Sequence, residues 1–144
     1  MTAIACTKER MVADKKLVIG EDIYILVTKI ERLRNGDIVG TAGNHEDGEA
    51  FLEWYQRKNR EVTGKPQLEE DFEALVLTKE SQILWYNCSL THVRIEGDFF
   101  AIGCGAKPVL CLMSIGKDPK EAIEITSGFD NAVSFATDTL ELKS

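Results

Sequence analysis

Histidine is almost absent from this chain. His45 and His92 are the only two. The four cysteines, Cys6, Cys88, Cys104 and Cys111, include no C-x-x-C pair. The ligand spacing of a zinc site is therefore missing, and no metal and no cofactor are expected. Cys6, Cys104 and Cys111 sit in apolar stretches and read as small core residues. No secretory h-region is present, and no apolar run reaches the roughly eighteen residues of a membrane span. A cytoplasmic, reducing location is expected, with no membrane contact. Basic charge is scarce as well. Seventeen Lys and Arg stand against 24 Asp and Glu, a net charge of -7, which removes the basic face that nucleic-acid binding needs. The GxxxxGK[ST] pattern is absent, so the glycines of GCG at 103–105 are no phosphate loop.

What is present is an ordinary globular composition. The 144 residues are 44% apolar and 28% charged, which predicts one domain over 1–144 with a core of its own. TAIAC at 2–6 and MVA at 11–13 read as a hairpin whose second arm ends at Asp14. LVIG at 17–20 reads as a short strand. IYILVTKI at 23–30 is rich in β-branched and aromatic residues and reads as a strand or as a tight loop plus strand. Asn35-Gly36 is a strong hairpin signal, with IVGTAG at 38–43 as the returning strand.

The period then changes. Apolar residues 50, 51, 52, 54, 55 and 62 share one face of a helix over 46–62. Asn44 caps it with Asp47 three residues on, and Gly64 and Pro66 end it. FEALVLTK at 72–79, QILWYN at 82–87, THVRI at 91–95 and FFAIG at 99–103 are strands. A helix near Pro108 ends at Gly116. Asp118-Pro119-x-Glu121 is a capping box for a helix running to about Phe129, with Ala122, Ile123, Thr126 and Phe129 on its buried stripe. A last short strand falls near 139–142. This order suits two stacked antiparallel sheets with helices outside, and it equally allows an α+β domain with one sheet.

Several residues carry candidate chemistry. Thr2 is either an edge-strand residue or, once Met1 is removed, a nucleophile and base in one residue. Its free α-amine, with a pKa of about 8, can accept its own hydroxyl proton, so no histidine is needed. Lys29 lies between apolar Val27 and Ile30. It is either an outward-facing strand lysine or a buried one, and if buried its ammonium must be paired or its pKa must fall. Asp14, a turn residue on the plain reading, is its candidate partner. Gly43, at a strand-to-helix junction, is required by the turn and also offers a backbone N–H to an oxyanion. Asp130 follows the last helix as a loop acid.

Taken in order, these residues give the chain a resemblance to the proteasome β-type subunits of the N-terminal nucleophile (Ntn) hydrolase superfamily, and especially to the compact HslV group. TAIAC matches the family's mature N-terminus, Asp14 its strand-end Asp, and KIERL at 29–33 its lysine segment. NGDIVGTAG at 35–43 matches its hairpin and A-G pair, and FFAIGCGAKPVLCLM at 99–113 its strand, Gly-Ser-Gly turn and helix. The resemblance implies an α+β, four-layer α/β/β/α sandwich of two antiparallel sheets. It implies a threonine-type peptidase or amidase in which Thr2 is nucleophile and base, Asp14 and Lys29 tune it, Gly43 donates the oxyanion N–H, Cys104 holds the turn position, and Asp130 supports the amine. Partners implied are further copies of the chain in a homo-oligomeric ring, an ATPase or other protein, and a peptide substrate.

The departures are specific. Cys104 replaces the family's serine in the Gly-Ser-Gly turn, and Val133 replaces a second serine, with Ser134 beside it. The polar stretch 63–71 stands where the family has a second long helix, so one sheet face is expected to be left bare and to drive self-association. These departures favour a second reading, a catalytically inactive proteasome-like assembly or scaffold. A third is a plain α+β domain that binds a partner through the bare face.

Overall fold

The computed structural model describes residues 2–57, 60 and 64–143. In chain order the elements are β1 (Ile4–Thr7), β2 (Arg10–Asp14), β3 (Lys16–Val18), β4 (Tyr24–Leu26), β5 (Ile30–Arg32), β6 (Ile38–Ala42), α1 (His45–Tyr55), β7 (Glu73–Leu77), β8 (Ile83–Asn87), β9 (His92–Ile95), β10 (Phe99–Ile102), α2 (Ala106–Ser114), α3 (Pro119–Ser127) and β11 (Thr137–Glu141). One sheet has the order β10-β1-β2-β11 and a second the order β5-β6-β7-β8-β9. Every pairing in both is antiparallel.

Strand alternation assigns the layers. Ile4, Met11 and Ile102 of the four-stranded sheet meet Ile38, Leu75, Leu77 and Ile83 of the five-stranded sheet in a shared core. Ala3, Ala5 and Val12 point the other way, onto Val109 and Met113 of α2 and Ala122 and Ile123 of α3. On the far side Phe51, Trp54 and Tyr55 of α1 cover Val39, Val76 and Tyr86. The result is the α/β/β/α sandwich of two antiparallel sheets, and the one-sheet alternative is set aside.

The β5–β6 and β7–β8 hairpins use three-residue loops. Leu33 N–H bonds Asp37 C=O at 2.8 Å, and Gly36 takes φ +98° as the last loop residue. Asn35 keeps an ordinary φ and uses its side-chain oxygen to accept from Asp37 N–H at 2.9 Å. The β7–β8 turn repeats the pattern with Ser81 at φ 67°.

One open reading resolves and three expectations are corrected. The segment 23–30 breaks after Leu26, because Ile30 is buried and Lys29 also turns inward, and neighbouring residues of one strand cannot face the same way. Its first part pairs with β3 in a separate two-stranded ribbon. Helix α1 is capped as expected, with Asn44 Oδ1 accepting from Asp47 N–H at 2.7 Å, but it stops at Tyr55. There Arg60 bonds the Tyr55 carbonyl at 3.0 Å and lies over its ring, while its own carbonyl accepts from the Trp54 indole. Residues 58, 59, 61 and 62 of the expected helix lie outside the described residues. Phe129 falls beyond α3 and is exposed. Cys104 and Cys111 are exposed, and of the three expected core thiols Cys6 alone is buried.

The bare sheet face does not occur. The rings of Trp54, Tyr55, Phe72 and Tyr86 surround Phe51 at centroid distances of 5.9, 5.8, 5.5 and 5.1 Å, and β9 finishes that face with His92 and Arg94. The apolar surface lies instead on the β3–β4 ribbon, where Ile19, Ile23, Tyr24 and Leu26 are each more than half exposed. No helix among the described residues is long and apolar enough to cross a membrane.

Candidate active site

Thr2 lies two residues before the start of β1 and is 6% exposed. The Gly103–Cys104–Gly105 turn, between β10 and α2, wraps around it. Gly105 N–H donates to the Thr2 carbonyl at 3.1 Å, and Thr2 N–H donates to Cys104 Sγ at 3.3 Å. Gly103 has φ +94°, and a Cβ there would stand 2.1 Å from the Thr2 carbonyl oxygen, so only glycine fits.

Beneath Thr2 lies Asp14, the last residue of β2, with no exposed surface. Its Oδ1 accepts from Ala3 N–H and from Lys29 Nζ, both at 2.9 Å. Its Oδ2 accepts from Lys16 N–H at 3.1 Å and Ser134 N–H at 3.2 Å. Four donors thus satisfy one buried carboxylate, as such burial demands. The Lys29 side chain is 8% exposed. Burial pushes its pKa below the ordinary lysine value, against the opposing pull of Asp14.

Two recesses meet at Thr2. One, of about 380 Å³, is walled by Lys29, Gly43 and Glu49, with Leu17, Val27 and Leu52 as its apolar lining. The other, of about 630 Å³, is bounded by Gly43, Phe72, Glu73, Trp85 and Cys104. Gly43 therefore lies at both mouths, at φ +132° and directly before the α1 cap.

Thr2, Asp14, Lys29, Gly43 and Cys104 are brought together. Asp130 is not in direct contact with them among the described interactions. Its Oδ1 accepts from Ala132 N–H at 2.9 Å, and it lines a separate recess with Lys16 and Tyr24. It shapes the turn that delivers Ser134 N–H to Asp14. Val133 packs on Gly105, whose added Cβ would meet its Cγ2 at 2.9 Å. Sequence reasoning noted Ser134 only as a neighbour of Val133, because its contribution is a backbone N–H. It missed Glu73, whose signal was a charge on the same strand face as Leu75 and Leu77. Among the described residues no group of three His, Cys, Asp or Glu side chains is placed to hold a metal.

No family model matches this chain, and no curated protein matches it in sequence. Solved structures do. HslV from Trypanosoma brucei superposes with a TM-score of 0.75 at 18% identity, over 99% of each chain. The chain has the fold of the proteasome β-type and HslV Ntn hydrolases. A Thiobacillus denitrificans BPH in complex with epoxomicin matches at TM-score 0.70 and 14% identity, over 99% of each chain. The Anbu complex from Pseudomonas aeruginosa, solved as a helical assembly, matches at TM-score 0.68 and 11% identity, over 98% of this chain and 80% of that one. At these identities the likeness is one of fold. In this HslV-like fold Thr2 and the Asp14–Lys29 pair sit at one open end of the sandwich, where both recesses reach solvent.

Proposed function

We propose that the chain is a threonine-type amidase or peptidase whose nucleophile is Thr2, exposed by removal of Met1, a residue outside the described ones. Thr2 Oγ adds to a substrate carbonyl carbon while the α-amine takes the hydroxyl proton. The Gly43 N–H holds the oxyanion. The C–N bond then breaks, the proton passes to the leaving amine, and water hydrolyses the resulting ester to regenerate Thr2. Lys29, held by Asp14, places a positive charge beside the amine and keeps it neutral at working pH. Cys104 accepts from the amine and orients it. Asp130 acts at one remove, through the turn that carries Ser134.

The observation that carries this reading is the buried Asp14–Lys29 pair next to Thr2. A salt bridge costs desolvation and is seldom a net source of stability, so an ion pair bordering a cleft points to use. The test is intact mass before and after treatment with a peptide epoxyketone, which needs a hydroxyl and a free amine on one residue. Loss of Met1 and a single adduct, absent from Thr2→Ala, is the expected result.

A second reading, an inactive assembly protein with the same fold, is favoured by Cys104 standing where the resemblance places a serine. Retained Met1 with no adduct selects it. Under both readings we propose that copies of the chain associate, and that the apolar β3–β4 ribbon is the contact. An ATPase or other protein partner docking on that assembly, and a cytoplasmic location, complete the proposal.

A further inference from the structure

The Gly103–Cys104–Gly105 turn has a weakness that follows from its composition. Two of its three residues are glycines, forced by the close approach of Thr2 and Val133, and glycine restrains a backbone least. Its middle residue, Cys104, is exposed. Little in the turn itself fixes the thiol and the N–H groups that hold Thr2. An anchor from outside is needed, and the opposite sheet supplies one.

Glu73 opens β7 of the five-stranded sheet. Its register with Leu75 and Leu77 aims it between the sheets, at the open end. Its Oε1 accepts from Gly103 N–H at 3.2 Å across the sandwich, and its Oε2 accepts from the Trp85 indole N–H at 2.9 Å. Trp85 lies on β8, paired with Leu75 and so diagonal to Glu73. The indole pins one oxygen and thereby directs the other at the turn. Two converging donors and one half-buried group call for two acceptor oxygens, which a carboxylate has and an amide lacks.

We propose that Glu73 is a positioning residue of the Thr2 site: bridged between the Trp85 indole and Gly103 N–H, it clamps the Gly-Cys-Gly turn of one sheet to the other and so fixes Cys104 and Gly105 on Thr2. The proposal rests on the amidase reading for its catalytic consequence, while the clamp itself is measurable without turnover.

The experiment compares wild type with Glu73→Gln and Glu73→Leu by amide hydrogen exchange, thermal melting and hydrolysis of a small peptide amide. In Glu73→Leu the 103–105 amides exchange about tenfold faster, since a charge-assisted bond is lost. Glu73→Gln, which keeps one acceptor, shows a smaller rise. Amides of Ile4–Cys6 and Leu75–Leu77 stay within about twofold of wild type. In both variants kcat falls while KM holds, and Glu73→Gln retains the larger part. Unchanged exchange at 103–105 in Glu73→Leu overturns the clamp, whatever the activity. Faster exchange spread through both sheets overturns it too, because Glu73 would then only support the fold. Local loosening with an unchanged kcat overturns its positioning role. A wild type without turnover or epoxyketone adduct, yet with the local rise, keeps the clamp and rejects the amidase reading.

Discussion

Lys29 Nζ and Asp14 Oδ1 meet at 2.9 Å in a space that leaves the carboxylate no exposed surface and the lysine side chain 8% exposed. The pair costs the strand its regularity, since Lys29 and Ile30 both turn inward. Burial lowers the Lys29 pKa from its ordinary 10.5, so its charge is lost at lower pH than a surface lysine's. Activity is then expected to rise with pH as the Thr2 amine becomes neutral, below the usual α-amine value of about 8 because the Lys29 cation stands beside it. It falls again on the alkaline side, before pH 10.5. Lys29→Arg keeps its charge and pushes the alkaline fall upward. Lys29→Met loses roughly 10²-fold or more of the rate and shifts the acid limb up, because the amine no longer feels a neighbouring cation. The profile of kcat/KM from pH 6 to 10 reads all three. A Lys29→Met protein that is folded and fully active removes Lys29 from the site.

Asp14 tests the same pair from the other side. Asp14→Ala takes the carboxylate away from a buried ammonium and from three backbone N–H groups. Removing one member of a buried pair costs about 3–5 kcal/mol, and urea denaturation is expected to show a loss of that order. Lys29→Met leaves Asp14 with three backbone donors and is expected to cost less. A smaller loss in Asp14→Ala than in Lys29→Met would reverse the roles given to the two residues.

Much of this site was legible because its parts are local in sequence. Asp14 ends a hairpin, Lys29 interrupts apolar neighbours, and Asn44 with Asp47 marks a helix start, each within a few residues. What escaped depends on contacts no periodicity encodes. Glu73 bonds Gly103 thirty residues away, across two sheets. Ser134 serves through its backbone, where its side-chain type says little. Helix α1 ends early because Arg60 folds back on Tyr55. The bare face expected from the missing helix is filled by aromatic rings whose packing only the tertiary structure reveals. The break at 27–29 was implicit in Lys29 itself, since burying it beside Ile30 is incompatible with a continuous strand.

The thiols differ in a way alkylation reads directly. Burial pushes the Cys6 thiol from 9.0 up to about 12, so it remains protonated and enclosed, whereas Cys104 and Cys111 are exposed. Iodoacetamide on the native protein is expected to modify Cys104 and Cys111 and to spare Cys6, as peptide mapping by mass will show. Occupying Thr2 with an epoxyketone is expected to slow Cys104 and leave Cys111 unaffected. The raised value also carries a stability sign. Between pH 9 and 12 the folded state holds a proton that the unfolded state releases, so Cys6 favours folding below that interval and less within it. Cys6→Ala removes this part of the alkaline decline. Rapid native labelling of Cys6 would contradict its enclosure.

The β3–β4 ribbon gives the last prediction. Leu17, Val18, Ile19, Ile23, Tyr24, Ile25 and Leu26 are all at least 37% exposed, and they form a contiguous two-stranded surface because β3 and β4 pair from Lys16↔Leu26 to Val18↔Tyr24. An isolated two-stranded ribbon is marginal in water, and apolar patches of this kind mark contacts. Each strand presents side chains on both faces, so a neighbouring copy can cover only part of the ribbon, and the rest falls to a further copy or to its own body. That geometry suits a repeating contact that closes into a ring or runs on as a helix. Ultracentrifugation at micromolar concentration is expected to show a species larger than one chain. Ile23→Lys with Ile25→Glu should shift it to monomer, since placing charges in an apolar contact desolvates them without partners. Neither position touches the Asp14–Lys29 pair, so the fold, followed by circular dichroism, is expected to hold. A wild type that sediments as a monomer rejects the contact. A double variant that assembles as wild type does moves the contact off the ribbon.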